Sequence, residues 1–202
     1  NLFRFNYKLS YGLFVLTARQ DGKDNGCIVN TVQQVTDTPL RISVTVNKQH
    51  LTHDMIKATG LFNVSILSEL AKMDTFKHWG FVSGHQEDKM VGVTVARSDN
   101  GLIYLPEQTN AYISAKVAEE IDLGTHTMFI ADVTDAEILA PDERSVTYAF
   151  YQENIKPKPA PQKKKGWVCT VCGYIYEGDP LPPDFTCPWC LHPASDFVPL
   201  DQ

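Results

Sequence analysis

With 202 residues, 43% of them hydrophobic and 21% charged, the chain has room for one ordinary globular domain and something small beside it. A formal net charge of −6 argues against nucleic acid or an anionic membrane as partner. No apolar run approaches the ~18 residues of a membrane span. The opening NLFRFNYKLSYG lacks the basic, apolar and small-residue order of a secretory signal. It also lacks Met, so at least one residue is expected upstream.

In chain order, FVLTA, CIVNTVQQV, RISVTV, FNVSIL, YISAKV and MFIADV are rich in β-branched and aromatic residues and read as strands. Two segments read as helices. One runs from Leu51 to Ala58, with Thr52 or His53 near its start and Gly60 just past its end; the other runs roughly from Leu70 to Trp79. Many strands and few helices predict a mainly β, antiparallel barrel or sandwich. No G-x-G-x-x-G follows a strand, so a Rossmann dinucleotide site is not supported. Polar residues cluster at two strand ends. Asn30, Thr31, Gln33, Gln34 and Thr36 follow the second strand, and Asn47, Lys48, Thr52 and His53 span a strand-to-helix turn. A helix start with Lys and Thr suits a phosphate, although loop residues between strands often have this composition. Trp79 and Phe81 read as core, with a cover over a bound group as the other reading. Cys27 reads as a small buried apolar residue.

The run KPKPAPQKKK at 156–165 marks a boundary. Proline favours extended backbone and like charges repel, so ten residues at about 3.1 Å each give a solvated tether of roughly 30 Å. The tether carries five Lys and no acid, whereas residues 166–202 carry five acids and no Lys or Arg. The expected organisation is a domain over 1–155, a linker over 156–165 and a small domain over 166–202.

Four of the five cysteines lie in the small domain as two C-x-x-C pairs, Cys169 and Cys172, then Cys187 and Cys190. An odd total with this grouping does not look like a secreted disulfide framework; a reducing cytoplasm and a metal site fit better. Two such turns facing each other supply four thiolates in a tetrahedron, which suits iron or zinc. Spacing alone leaves a structural zinc ribbon open. Gly173, just after the first pair, permits a positive φ that turns backbone N–H groups toward sulfur. His192 has no assigned role.

The stretch WVCTVCGYIYEGD…DFTCPWC, with CLHPASDFVPL after it, resembles the rubredoxin family, and its short gap between pairs is similar to the domain fused to rubrerythrins. The resemblance implies one iron held by Cys169, Cys172, Cys187 and Cys190 and carrying one electron, with zinc possible in recombinant protein. Leu191 departs from the glycine usual after the last cysteine, which leaves the second hydrogen-bonded turn open.

The larger part resembles the flavin reductase-like family in six ordered blocks: YGLFVLTA, NGCIVNTVQQVT, VNKQHLTH, FNVSILSE, FVSGHQEDK and GTHTMFIADVTDAEIL. This resemblance implies an FMN-binding antiparallel split barrel working as a homodimer. It places Asn30, Thr31, Val32 and Gln33 beside the flavin ring and ribityl chain. It places Asn47, Lys48, Thr52 and His53 near the ribityl chain and phosphate. His126, where relatives often have Asp-His and this chain has Thr125, is implied near the nicotinamide of NADH. Together the two resemblances imply an NAD(P)H-dependent flavin oxidoreductase feeding single electrons through iron to a protein acceptor such as a flavodiiron O2 or NO reductase. A flavin reductase supplying a monooxygenase, with a structural zinc-ribbon tail, is the alternative.

Overall fold

The structure, a computed structural model, describes residues 8–157, 166–178 and 180–200. Strand β1 (Phe14–Gln20) and β2 (Lys23–Val29) form a tight hairpin through Asp21 and Gly22, both at positive φ. Mirror-image turns of this kind match the twist of the strands they join. β3 (Gln33–Asp37) and β4 (Leu40–Asn47) follow, then α1 (Leu51–Thr59), β5 (Leu61–Leu67) and α2 (Met73–Gly80). After the short β6 (Ala96–Arg97) and β7 (Ile103–Tyr104) come the long β8 (Thr109–Asp122) and β9 (His126–Ile138).

Seven strands make one antiparallel sheet in the order β2-β1-β5-β8-β9-β4-β3. Cys27 and Val29 of β2 share one buried cluster with Ile42, Val44 and Val46 of β4, from the other end of that order. The sheet therefore curls around its core as a barrel, the expected mainly β fold. β1 shows how the sequence drives this. Phe14, Leu16 and Ala18 point into the barrel, while Leu13 and Val15 join a second cluster outside it with Phe76, Trp79, Ile103 and Tyr151. Both faces of β1 are covered, so its apolar run needs no alternation. Met55 and Ile56 of α1 enter the inner cluster, placing the helix against β1 and β2. Gly60 ends α1 in the left-handed region, its N–H bonded to Ile56 O at 2.7 Å.

Three expectations need correction. CIVNTVQQV is two strands, not one: the chain breaks at 30–32, where Thr31 Oγ1 donates to Thr45 O at 2.7 Å and accepts from Thr45 N–H at 3.1 Å. The second helix begins at Met73, not near Leu70. Phe81 is 70% exposed and is not core, whereas Trp79 is buried.

The chain divides into two compact units after Lys156. Of the expected tether, only Lys156 and Pro157 fall among the described residues. The second unit has β10 (Trp167–Cys169), β11 (Ile175–Tyr176) and β12 (Phe197–Pro199) in the order β11-β10-β12. Among its described residues, Cys169, Cys187 and Phe197 form a buried apolar cluster, with Phe185 packed edge-on against Phe197 at 5.4 Å. A core this small needs a cross-link or a metal to be stable.

Candidate functional site

The second unit builds one hydrogen-bonded turn twice. In the first, Gly173 N–H donates to Cys169 O and Cys169 N–H to Tyr174 O, both at 2.9 Å. In the second, Leu191 N–H donates to Cys187 O at 2.9 Å and Cys187 N–H to His192 O at 2.8 Å. Gly173 (φ 77°) and Leu191 (φ 62°) hold equivalent left-handed positions, so the second turn forms without glycine. The turns bring four sulfurs within 4.8 Å of one another, with Cys169–Cys190 at 3.6 Å and Cys172–Cys187 at 3.5 Å. A cation about 2.3 Å from each of four tetrahedral sulfurs sets them roughly 3.8 Å apart, so the donor set fits iron or zinc.

Electrostatics agree with a cation site. Four thiols packed together resist shedding every proton unaided: burial and the neighbouring sulfurs push Cys190 up to about 12. Burial also acts on Cys187. There it is outweighed by the backbone N–H groups of Cys190 and Trp189 and by nearby sulfurs, which bring the thiol to about 7. Backbone N–H groups of Tyr174 and His192 serve Cys172 and Cys190 in the same way. Cys169 and Cys187 are buried and Cys172 and Cys190 half-buried, so one edge of the site faces solvent.

In the barrel, the expected site residues fall into two groups. Asn30, Thr31 and Val32 are half-buried in the β2–β3 passage, with Thr31 locked to Thr45 and Gln33 exposed. Asn47, at the end of β4, pairs with His126 at the start of β9. His126 Nδ1 lies 2.8 Å from Thr125 Oγ1, so the threonine holds the ring where an Asp was absent. Lys48 is committed to the β8–β9 turn: its N–H donates to Thr125 O and its ammonium sits 2.7 Å from Asp122. That ammonium, with the Gly124 N–H, holds the Asp122 carboxyl below its ordinary value.

Thr52 and His53 point inward. Thr52 is fully buried and accepts from Asn25 Nδ2 at 2.9 Å. His53, 4% exposed, has Nε2 2.9 Å from Thr127 Oγ1 and Nδ1 3.0 Å from Asp54. At the start of α1 lies a cavity of about 240 Å³ lined by His50, Thr52, Trp79, Ser83, Gly84 and Lys89, among others. Gly84 lies so close to Asn25 that a Cβ there would collide with its side chain. Sequence reasoning gave no role to Lys89, His50 or Ser83. FVSGHQEDK carried family likeness but no role, and a lysine ordinarily stays in water.

The profile of the flavin reductase like domain matches residues 6–158. The chain belongs to the flavin reductase-like family. A second profile, the rubredoxin-like domain of rubrerythrin, matches residues 167–198, which contain all four clustered cysteines. A high molecular weight rubredoxin of Moorella thermoacetica is 37% identical over 91% of this chain and 93% of its own length. A ferric-chelate reductase (NAD(P)H) of Archaeoglobus fulgidus is 39% identical over 72% of this chain and 85% of its own. The solved NADH:FAD oxidoreductase SgcE6 of Streptomyces globisporus C-1027 superposes with a TM-score of 0.66 at 19% identity. It covers 74% of this chain and 87% of its own, and shares the fold. Among the described residues, no helix is long and apolar enough to cross a membrane.

Proposed function

We propose that this flavin reductase-like chain takes a hydride from NADH onto FMN and passes single electrons through a four-cysteine iron centre to a protein acceptor, such as a flavodiiron O2 or NO reductase. The observation that carries this reading is the convergence of four sulfurs on one tetrahedral site in a unit joined to a flavin reductase-like barrel. The likeness to the Moorella protein over nearly the whole of both chains supports treating the two units as one machine. The flavin supplies the exchange between two-electron and one-electron chemistry, and the iron supplies a one-electron carrier.

The residues of this chain have placing work to do. Asn30, Thr31, Val32 and Gln33 border the flavin ring, with the Thr31–Thr45 bond fixing the passage that carries them. His126, opposite Asn47 across β4 and β9, borders the nicotinamide, and Asn47 lies near the ribityl chain. Fixing donor and acceptor in near-attack geometry is the main demand of hydride transfer, and no side-chain nucleophile is needed. Lys48, Thr52 and His53 hold the framework at the ribityl end. A homodimer in the cytoplasm completes the reading.

The test uses the full chain. Cys187→Ser removes one of four ligands. It is expected to abolish metal binding and acceptor reduction while NADH oxidation with FMN and free ferricyanide persists. Undiminished reduction of a flavodiiron acceptor by the metal-free variant would refute the relay.

A further inference from the structure

We propose that the first turn of α1 sets the spacing between hydride donor and acceptor, with Thr52 gripping β2 and His53 gripping β9. Thr127, His53 and Asp54 are then positioning residues for His126. The inference rests on the reading of His126 beside the nicotinamide and adds the residues that act through it.

Thr52 and His53 are neighbours in sequence, yet they hold strands that are not neighbours in the sheet. Thr52 Oγ1 accepts from Asn25 Nδ2 of β2 at 2.9 Å. His53 Nε2 lies 2.9 Å from Thr127 Oγ1 of β9. All four residues are at most 4% exposed. Both bonds are therefore shielded from water, where they are stronger and costlier to leave unmade. Met55 and Ile56 root the same helix in the barrel core. Beyond Asn25, β2 runs into the 30–33 passage assigned to the flavin ring, and His126 immediately precedes Thr127. One helical turn thus references both sides of the transfer to a single backbone.

The bonds through His53 have a direction. Asp54 Oδ1 lies 3.0 Å from His53 Nδ1. A carboxylate only accepts, so Nδ1 carries the ring proton. Nε2 of the neutral ring is then an acceptor, and the Thr127 hydroxyl donates to it. Phe129 stands beside the ring with centroids 5.7 Å apart, so packing as well as bonding fixes the imidazole.

His126 depends on this tie because it is the first residue of β9. Strand ends are where a sheet opens most readily. Side chains alternate along β9: Thr127, Phe129 and Ala131 are buried, while His126 and Met128 are half-buried on the other face. Thr127 is the first residue of the strand held from inside the barrel, and its bond to α1 fixes the backbone that carries His126. A misplacement of about 1 Å at a reacting pair can cost on the order of a hundredfold in rate.

The test is NADH oxidation by the full chain with FMN and ferricyanide, arranged as a double-mutant cycle. Thr127→Val keeps the side-chain volume and removes the hydroxyl. It is expected to lower kcat/KM for NADH about ten- to a hundredfold, with FMN affinity within about twofold of wild type. Thr127→Ser keeps the hydroxyl and should recover most of the rate. In a His126→Ala background, Thr127→Val should cause no further loss, since the residue it acts through is gone. Asp54→Ala changes a side chain that is 53% exposed, so the fold tolerates it, and loosens the same bonds from their outer end. It should cost about two- to tenfold, again only when His126 is present, and it carries the cycle if Thr127→Val does not fold. Equal losses with and without His126 would overturn the inference and leave Thr127 a structural residue. So would a Thr127→Val protein of full rate, a Thr127→Ser protein as slow as the valine variant, or FMN affinity that falls in step with the rate. A His126→Ala protein that oxidises NADH like the wild type would refute the nicotinamide reading itself, a distinguishable failure that removes the inference with it.

Discussion

Leu191 occupies in the second turn the place Gly173 holds in the first. A left-handed φ costs a residue with a Cβ about 1–2 kcal/mol, so the two halves of the metal site are unequal. The Leu191 side chain is 77% exposed and contributes little packing in return. Leu191→Gly should therefore stabilise the C-terminal unit by up to about 1 kcal/mol, part of the gain being offset by the freer unfolded chain. The measurement is the thermal midpoint of that unit in the metal-loaded chain; a lower midpoint would contradict it. The four cysteines were legible from spacing because thiolate chemistry is local to each turn. Leu191 was not, since the bonds of Cys187 to Leu191 and His192 override its backbone preference.

Helix α1 meets the sheet at Cys27 of β2, a junction with a pH dependence of its own. Burial pushes the Cys27 thiol up to about 11 from an ordinary 9.0, against smaller opposing effects of Thr52 and Lys89. Below pH 9 the thiol is neutral in both the folded and unfolded chain, and its contribution is intact. Between about 9 and 11 the unfolded chain ionises first, so stability falls as pH rises, by on the order of 2–3 kcal/mol. Urea unfolding of wild type and Cys27→Ala across pH 8–11 checks this. The variant should show a shallower alkaline decline, and parallel curves would contradict the assignment.

Strand and helix patterns made most elements legible, α1 within a residue. The errors share one cause. The start of α2 is set by Gln108, whose Oε1 accepts from Lys72 N–H at 2.7 Å and Thr75 Oγ1 at 2.8 Å. The break in CIVNTVQQV is set by Thr45 on another strand. Partners far away in sequence leave no local pattern.

At the scale of the whole molecule, the two units differ in chemistry and in charge. The barrel brings together a β2–β3 passage, the Asn47–His126 pair and a cationic cavity. The small unit brings four sulfurs to one point, and its residues 166–202 carry five acids and no Lys or Arg. The division after Lys156 falls at the Lys/Pro run that sequence composition marked. That Lys89 is buried, with no acid paired to it among the described residues, was invisible to composition and became evident only once β2, α2 and the 81–89 segment were folded around it.

Anaerobic titration of the purified chain with NADH, followed by its visible spectrum, tests the relay most directly. A mixed flavin and ferric-thiolate spectrum is expected, with both components bleaching as NADH is added. A flavin spectrum alone, with zinc on metal analysis and no iron-dependent band after reconstitution, would contradict it and leave a flavin reductase with a structural zinc ribbon.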